Sequence, residues 1–273
     1  MGMLAGVALK LQRADLHIDD LDRQMRPAVE AANRTITRVP SADATKVDYV
    51  VGRAPEVDPA WSTGVGDALF NLRSALDHLA WQLVLLDGGK PGRPTAFPIL
   101  AAKPSTPTRF LKQVTRQDIL DAIDAVQPYH RSDRWMDQLW VVNELCNLDK
   151  HRLLLTVAGV LNFDDNPPYW GLPEGVDSPA HSFKVFEPIS DGDIIANFDF
   201  KGVEAPAAFD PHLSLAVTLD EGPPSHWMRL QDLPAMLRGM RHYLTTRINE
   251  HFVPLFGSSE PLVPWASTSP RRL

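Results

Sequence analysis

The sequence predicts an α+β fold: a bundle of four to five helices with an antiparallel β-sheet segment inserted before the C-terminal helix. Three observations lead there. Before residue 150, apolar residues recur every three or four positions, the mark of helices that bury one stripe. Between 153 and 219 the pattern changes to short β-branched and aromatic runs divided by turn-rich stretches. Helical spacing then returns over about 231–252.

The first helix is expected over about 4–33, where Leu4, Val7, Leu11, Ala14, Ile18, Leu21, Met25 and Ala28 form one stripe. Pro27 should kink or segment it near its end. TITRV and KVDYVV, separated by PSADAT, read as a short hairpin. A central helix follows over 66–87, entered through Pro59 and Trp61 and closed by Gly88-Gly89. Prolines 91, 94, 98, 104 and 107 forbid a long helix over 88–115. RQDILDAIDAV (116–126) reads as a helix stopped by Pro128, and Asp133 or its neighbour opens another that ends near 150.

LLLTVAGVLNF, SFKVFEPI, DIIANFDF and LSLAVTL are four strand-like runs that suggest an antiparallel sheet or small sandwich. Helices at both ends with strands between them predict one interlocked domain over 1–252: helical over 1–150, β-rich over 151–225, closed by the 231–252 helix. The last helix is expected to pack back onto the earlier ones. Residues 253–273 form a Pro/Ser-rich tail.

Composition narrows the function classes. A hydrophobic fraction of 44% with 22% charged residues is enough for a sizeable core. The formal net charge of −7 argues against a broad basic surface, so broad duplex-DNA binding is not expected, while a local pocket for RNA stays open. Cys146 is the only cysteine, which excludes an intramolecular disulfide and a cysteine-based zinc cluster. Its Trp- and Val-rich surroundings make it a small core residue. The first twenty residues lack a basic n-region, and no apolar run reaches the roughly 20 residues that span a bilayer. A cytoplasmic protein without a membrane partner is the expectation.

The central helix, GDALFNLRSALDHLAWQLVLLD, carries the most informative polar groups. Leucines 69, 72, 76, 79, 83 and 86 make a continuous seam, and Phe70, Trp81, Val84 and Leu85 fall largely on the other side. Little of the helix is therefore expected to face water, yet Arg73, Asp77 and His78 sit in its middle. An unpaired buried charge costs several kcal/mol, so these groups are either a packed network or a site. Arg73 and Asp77 share a ridge, as do Ser74 and His78. A second cluster closes the helix near 150: Glu144, Asn147, Asp149, Lys150, His151 and Arg152. Lys150, His151 and Arg152 suit the negative end of a helix dipole. Glu144, Asn147 and His151 line one face if the helix persists that far.

Arg73-Ser-Ala-Leu-Asp-His78 resembles the Arg-x4–6-His motif of the HEPN superfamily, the higher-eukaryote and prokaryote nucleotide-binding domains. That resemblance covers one helix and implies an all-helical bundle, metal-independent RNA cleavage and a site built across a homodimer. In that scheme Arg73 steadies the scissile phosphate and His78 acts in acid–base chemistry, while 147–152 completes the pocket. Ser74 stands where that family often has Asn, Asp or His, and the β-rich segment is foreign to a minimal bundle. The pair NLRSALDHL and NLDKHR also resembles an uncharacterised actinobacterial family.

Two other readings stand beside it. Asp77, His78, Glu144 and His151 offer a carboxylate–histidine set for iron or manganese, although no Glu-x-x-His pair is present. In a non-catalytic reading, Asp77 pairs with Lys150 or Arg152 and Glu144 with Arg73 in a buried network, and the protein works by binding or oligomerisation. No nucleotide loop, zincin motif or serine elbow occurs, so no cofactor is expected. Arg241 and His242, like His226 and Trp227, read as surface or packing residues. Tyr169 and Trp170 in PPYWGLPEG offer a loop that contacts a ligand or caps a sheet edge.

Overall fold

The computed structural model describes residues 3–257 except 107, 109, 163–170, 173–175, 185–186 and 221–230. Tyr169, Trp170, His226, Trp227 and the tail beyond 257 lie outside the described residues. Helices α1 (Ala5–Asn33), α2 (Ala60–Leu86), α3 (Gln117–Ala125), α4 (Gln138–Asp149) and α5 (Leu233–His251) occur with strands β1 (Ile36–Pro40), β2 (Lys46–Val51), β3 (Thr156–Asn162), β4 (Ala180–Phe183), β5 (Ile194–Asp199) and β6 (Leu213–Leu219). The class is α+β, with all strand pairs antiparallel and the last helix following the last strand. No helix among the described residues is long and apolar enough to cross a membrane.

The chain divides into two compact units, one of 1–18, 66–152 and 237–273, the other of 19–65 and 153–236. Three of the four crossings fall inside helices α1, α2 and α5.

In the helical unit, α2 contributes a stripe of Leu69, Leu72, Leu76, Leu79 and Leu83, all nearly inaccessible. Val7, Leu11 and Ala14 of α1, Leu139, Val142 and Leu145 of α4, and Leu237, Leu244 and Ile248 of α5 are buried with them. The helices stop where their end chemistry says they should. Gly88, at φ 78°, donates to Leu85 O while Gly89 donates to Val84 O, the paired bonds of a Schellman cap. Asp137 opens α4 by accepting from the Leu139 and Trp140 amides. Asp133, the expected opener, caps only a 3-10 turn at Arg134–Met136, so the helix starts one turn later. Asp137 also accepts from the Tyr243 hydroxyl at 2.8 Å and lies 3.3 Å from Arg131 Nε, which ties α5 to α4's entry. Arg241 grips Asp15 through two nitrogens, each at 2.9 Å. That partly buried ion pair joins α5 to α1.

In the β-rich unit, the hairpin β1–β2 forms and then joins β5 and β4 in a four-stranded sheet of order β1-β2-β5-β4. The four later strands therefore do not make one sheet by themselves: β3 and β6 form a separate pair, in register from Thr156↔Leu219 to Asn162↔Leu213. Alternation on β2 buries Val47, Tyr49 and Val51. Their core partners include Phe198, Phe200 and Phe209, and the Tyr49 hydroxyl donates to Phe209 O. Burial, followed by the nearby Asp210 charge, pushes the Tyr49 phenol up to about 12. Pro27 lies within the continuous α1, without the interruption that its missing donor suggested.

Candidate functional site

Arg73 and Asp77 close on one another and on a third element. Arg73 Nη1 donates to Asp77 Oδ1 at 2.8 Å, and Nη2 donates to the Phe97 carbonyl at 2.9 Å. The Phe97 amide in turn donates to Asp77 Oδ1 at 2.9 Å. Together the two side chains read both polar atoms of one peptide residue, a job usually done by a strand neighbour. Phe97 lies in the TAFPIL stretch, is 2% exposed and meets the Phe252 ring edge-on at 5.8 Å. The proline-rich connection has no ladder of its own, so α2 supplies it. The Arg73 side chain is only 16% exposed.

His78 points elsewhere. Five residues on from Arg73, it is rotated by about 140° around the helix axis. Its exposed ring lies against α1, where a Cβ on Gly6 would come 2.6 Å from Nδ1. The outer side of α2 is also wetter than its composition suggests: Phe70, Trp81 and Leu85 are about half exposed. This corrects the expectation of a helix wrapped all round. Hydropathy marks these residues as apolar but does not show which of two apolar faces is covered.

The second cluster is mostly local. Lys150 Nζ donates to Asn147 Oδ1 at 3.1 Å, and Asn143 donates to Glu144 Oε1 at 3.3 Å. Arg73 thus pairs with Asp77 and Phe97 rather than with Glu144, and the Lys150 ammonium turns to Asn147 rather than Asp77. α4 ends at Asp149, so His151 falls in a turn, exposed like Asn147, Lys150 and Arg152. Asp149 is the exception. Its carboxylate sits on the backbone of α2 at Gly66, where a Cβ would lie 2.6 Å from Asp149 Cγ. Burial raises its carboxyl above the usual carboxylate range, and the charge of Asp67 adds to that.

The structure brings parts of both clusters within electrostatic range of Cys146. Burial raises this thiol, the Lys150 and Arg73 charges pull it down, and Asp149 and Asp77 add to the rise. The thiol is 4% exposed, in keeping with a core role. Among the described residues, no three His, Cys, Asp or Glu side chains come together in a way that would hold a metal ion.

Sequence reasoning passed over the seam between α1 and α2. His17 Nδ1 lies 3.9 Å from Asp67, Lys10 Nζ donates to Asn71 Oδ1, and the same ammonium stands 5.5 Å over the Phe70 ring. The available signal was glycine. Gly6 and Gly66 sit inside helices at a cost of roughly 0.5–1 kcal/mol each, which close approach of another element explains. No protein-family model, curated protein or solved structure matches the chain.

Proposed function

We propose that this is a non-catalytic binding protein that works by self-association through the outer face of α1 and α2. The closed Arg73–Asp77–Phe97 arrangement carries the first half of that reading. Both terminal nitrogens of Arg73 are already committed, one to a carboxylate and one to a buried carbonyl, and drawing the guanidinium to a phosphate would cost those bonds. The second half rests on exposure. Leu9 and Leu16 on α1 with Phe70, Trp81 and Leu85 on α2 are 43–59% exposed, more apolar surface on two adjacent helices than a solitary unit favours. Both charges flank it, Lys10 and Arg13 on α1 and Asp67 on α2. A two-fold pairing that lays α1 of one copy on α2 of the other sets those cations against the other copy's Asp67. Sedimentation of wild type and Phe70→Glu/Trp81→Glu tests it: a dimer is expected for wild type and a folded monomer for the variant. A wild type that stays monomeric at all concentrations contradicts it.

The exposed ring of His78 supports a second reading, HEPN-like RNA cleavage. Cleavage by wild type that is lost in a fully folded His78→Ala would favour it.

A further inference from the structure

A cavity of about 300 Å³ opens between α3 and the proline-rich connection, at the small end of the roughly 300–1,000 Å³ span of small-molecule sites. One side is apolar, with Leu100, Leu111, Leu120 and Ile123. Gln127, 2% exposed, fixes this wall by accepting from the Leu100 amide and donating to the Pro98 and Ile123 carbonyls. The other side is charged. Asp124 receives the Tyr129 hydroxyl, has Lys103 Nζ at 3.2 Å and has His130 Nε2 at 3.3 Å. Asp121 accepts from Gln117 Nε2 at 2.8 Å. Among the described residues, two carboxylates, Asp121 and Asp124, and one ammonium, Lys103, line this side beside the Tyr129 ring.

We propose that this cavity binds a small hydrophobic amine, and that Lys103 occupies the place of the ligand's ammonium. The Tyr129 hydrogen bond, then the Lys103 contact, hold the Asp124 carboxyl below its usual range, so it is anionic at neutral pH. Lys103 is 72% exposed, and an exposed ion pair of that kind contributes little, so the lysine is readily displaced. A ligand ammonium then pairs with Asp124 within reach of the Tyr129 ring, while its apolar body covers Leu120 and Ile123. The site shares no residue with the self-association face or with the Arg73 clamp, so it stands or falls independently of them.

The experiment is a titration of the full chain with 2-phenylethylamine and, in parallel, phenylacetate, followed by NMR and calorimetry. The amine should bind saturably and phenylacetate should not. Lys103→Gln should tighten amine binding about threefold to fivefold, because it removes the internal competitor of an exposed pair. Asp124→Asn should weaken it at least tenfold. If Asp124→Asn does not fold, the exposed Lys103→Gln decides alone. Weaker amine binding in Lys103→Gln, preferential binding of phenylacetate, or no saturable binding of the amine overturns the proposal.

Discussion

The charged groups of α2 and those at the end of α4 present the same pattern as strings, ionisable residues three or four apart on a helix. They differ in where their partners are. Arg73 and Asp77 bind the main chain at Phe97, 24 and 20 residues away, and hold a segment that has no secondary structure of its own. Glu144 and Lys150 bind residues one and three positions away. Helical spacing identifies a shared face, whereas a long-range partner identifies a structural job. The two sets should therefore respond very differently to substitution.

The largest effect is expected at the clamp. Arg73→Ala removes the cation beside Asp77 and the donor to the Phe97 carbonyl and should cost about 2 kcal/mol, lowering Tm by about 4–8 °C. Asp77→Asn keeps an acceptor for the Phe97 amide and should lose less in the same thermal melts. Next comes Gly66→Ala. In an ordinary helix this substitution stabilises by about 0.5–1 kcal/mol. Here the Cβ meets the Asp149 carboxylate, so a loss of about 1 kcal/mol is expected, recovered in Gly66→Ala/Asp149→Ala. A loss that survives in the double variant would place the strain elsewhere.

Asp149 itself gives a smaller effect with a defined sign. Its folded-state carboxyl is raised, so the folded protein holds that proton more tightly than the unfolded chain does. Its ionisation therefore destabilises at neutral pH. Stability should rise as pH falls from the raised value toward the ordinary carboxylate pKa of about 3.9. Asp149→Asn should melt about 1 °C higher at pH 7 and lack that rise. Smallest of all, Lys150→Ala and His151→Ala should stay within about 0.5 kcal/mol of wild type in urea unfolding.

The elements were legible because their signals are local. Helical periodicity, the Gly88-Gly89 stop and the β-branched hairpin each act within a few residues. Sheet organisation was less so: β2 pairs with β5 almost 150 residues on, and nothing within KVDYVV names that partner. The misreading of α2 has a related cause. Phe70, Trp81 and Leu85 are as apolar as its buried leucines, and their exposure depends on what else packs there. At the site, Arg73 and Asp77 stood out as charges on an apolar helix, but Phe97 could not be named as their partner. Its own side chain is apolar and gives no sign of a polar contact, because the bonds are to backbone atoms. Asp149 on Gly66 was half visible, since a glycine inside a helix marks a close approach without saying to what.

The most direct measurement is thermal unfolding of wild type, Arg73→Ala and His78→Ala side by side, with RNA cleavage followed on the same samples. An architectural clamp predicts a Tm several degrees lower for Arg73→Ala, a near-wild-type Tm for His78→Ala, and no cleavage by any of the three. An Arg73→Ala protein that melts with wild type while losing a cleavage activity that wild type has would contradict the account.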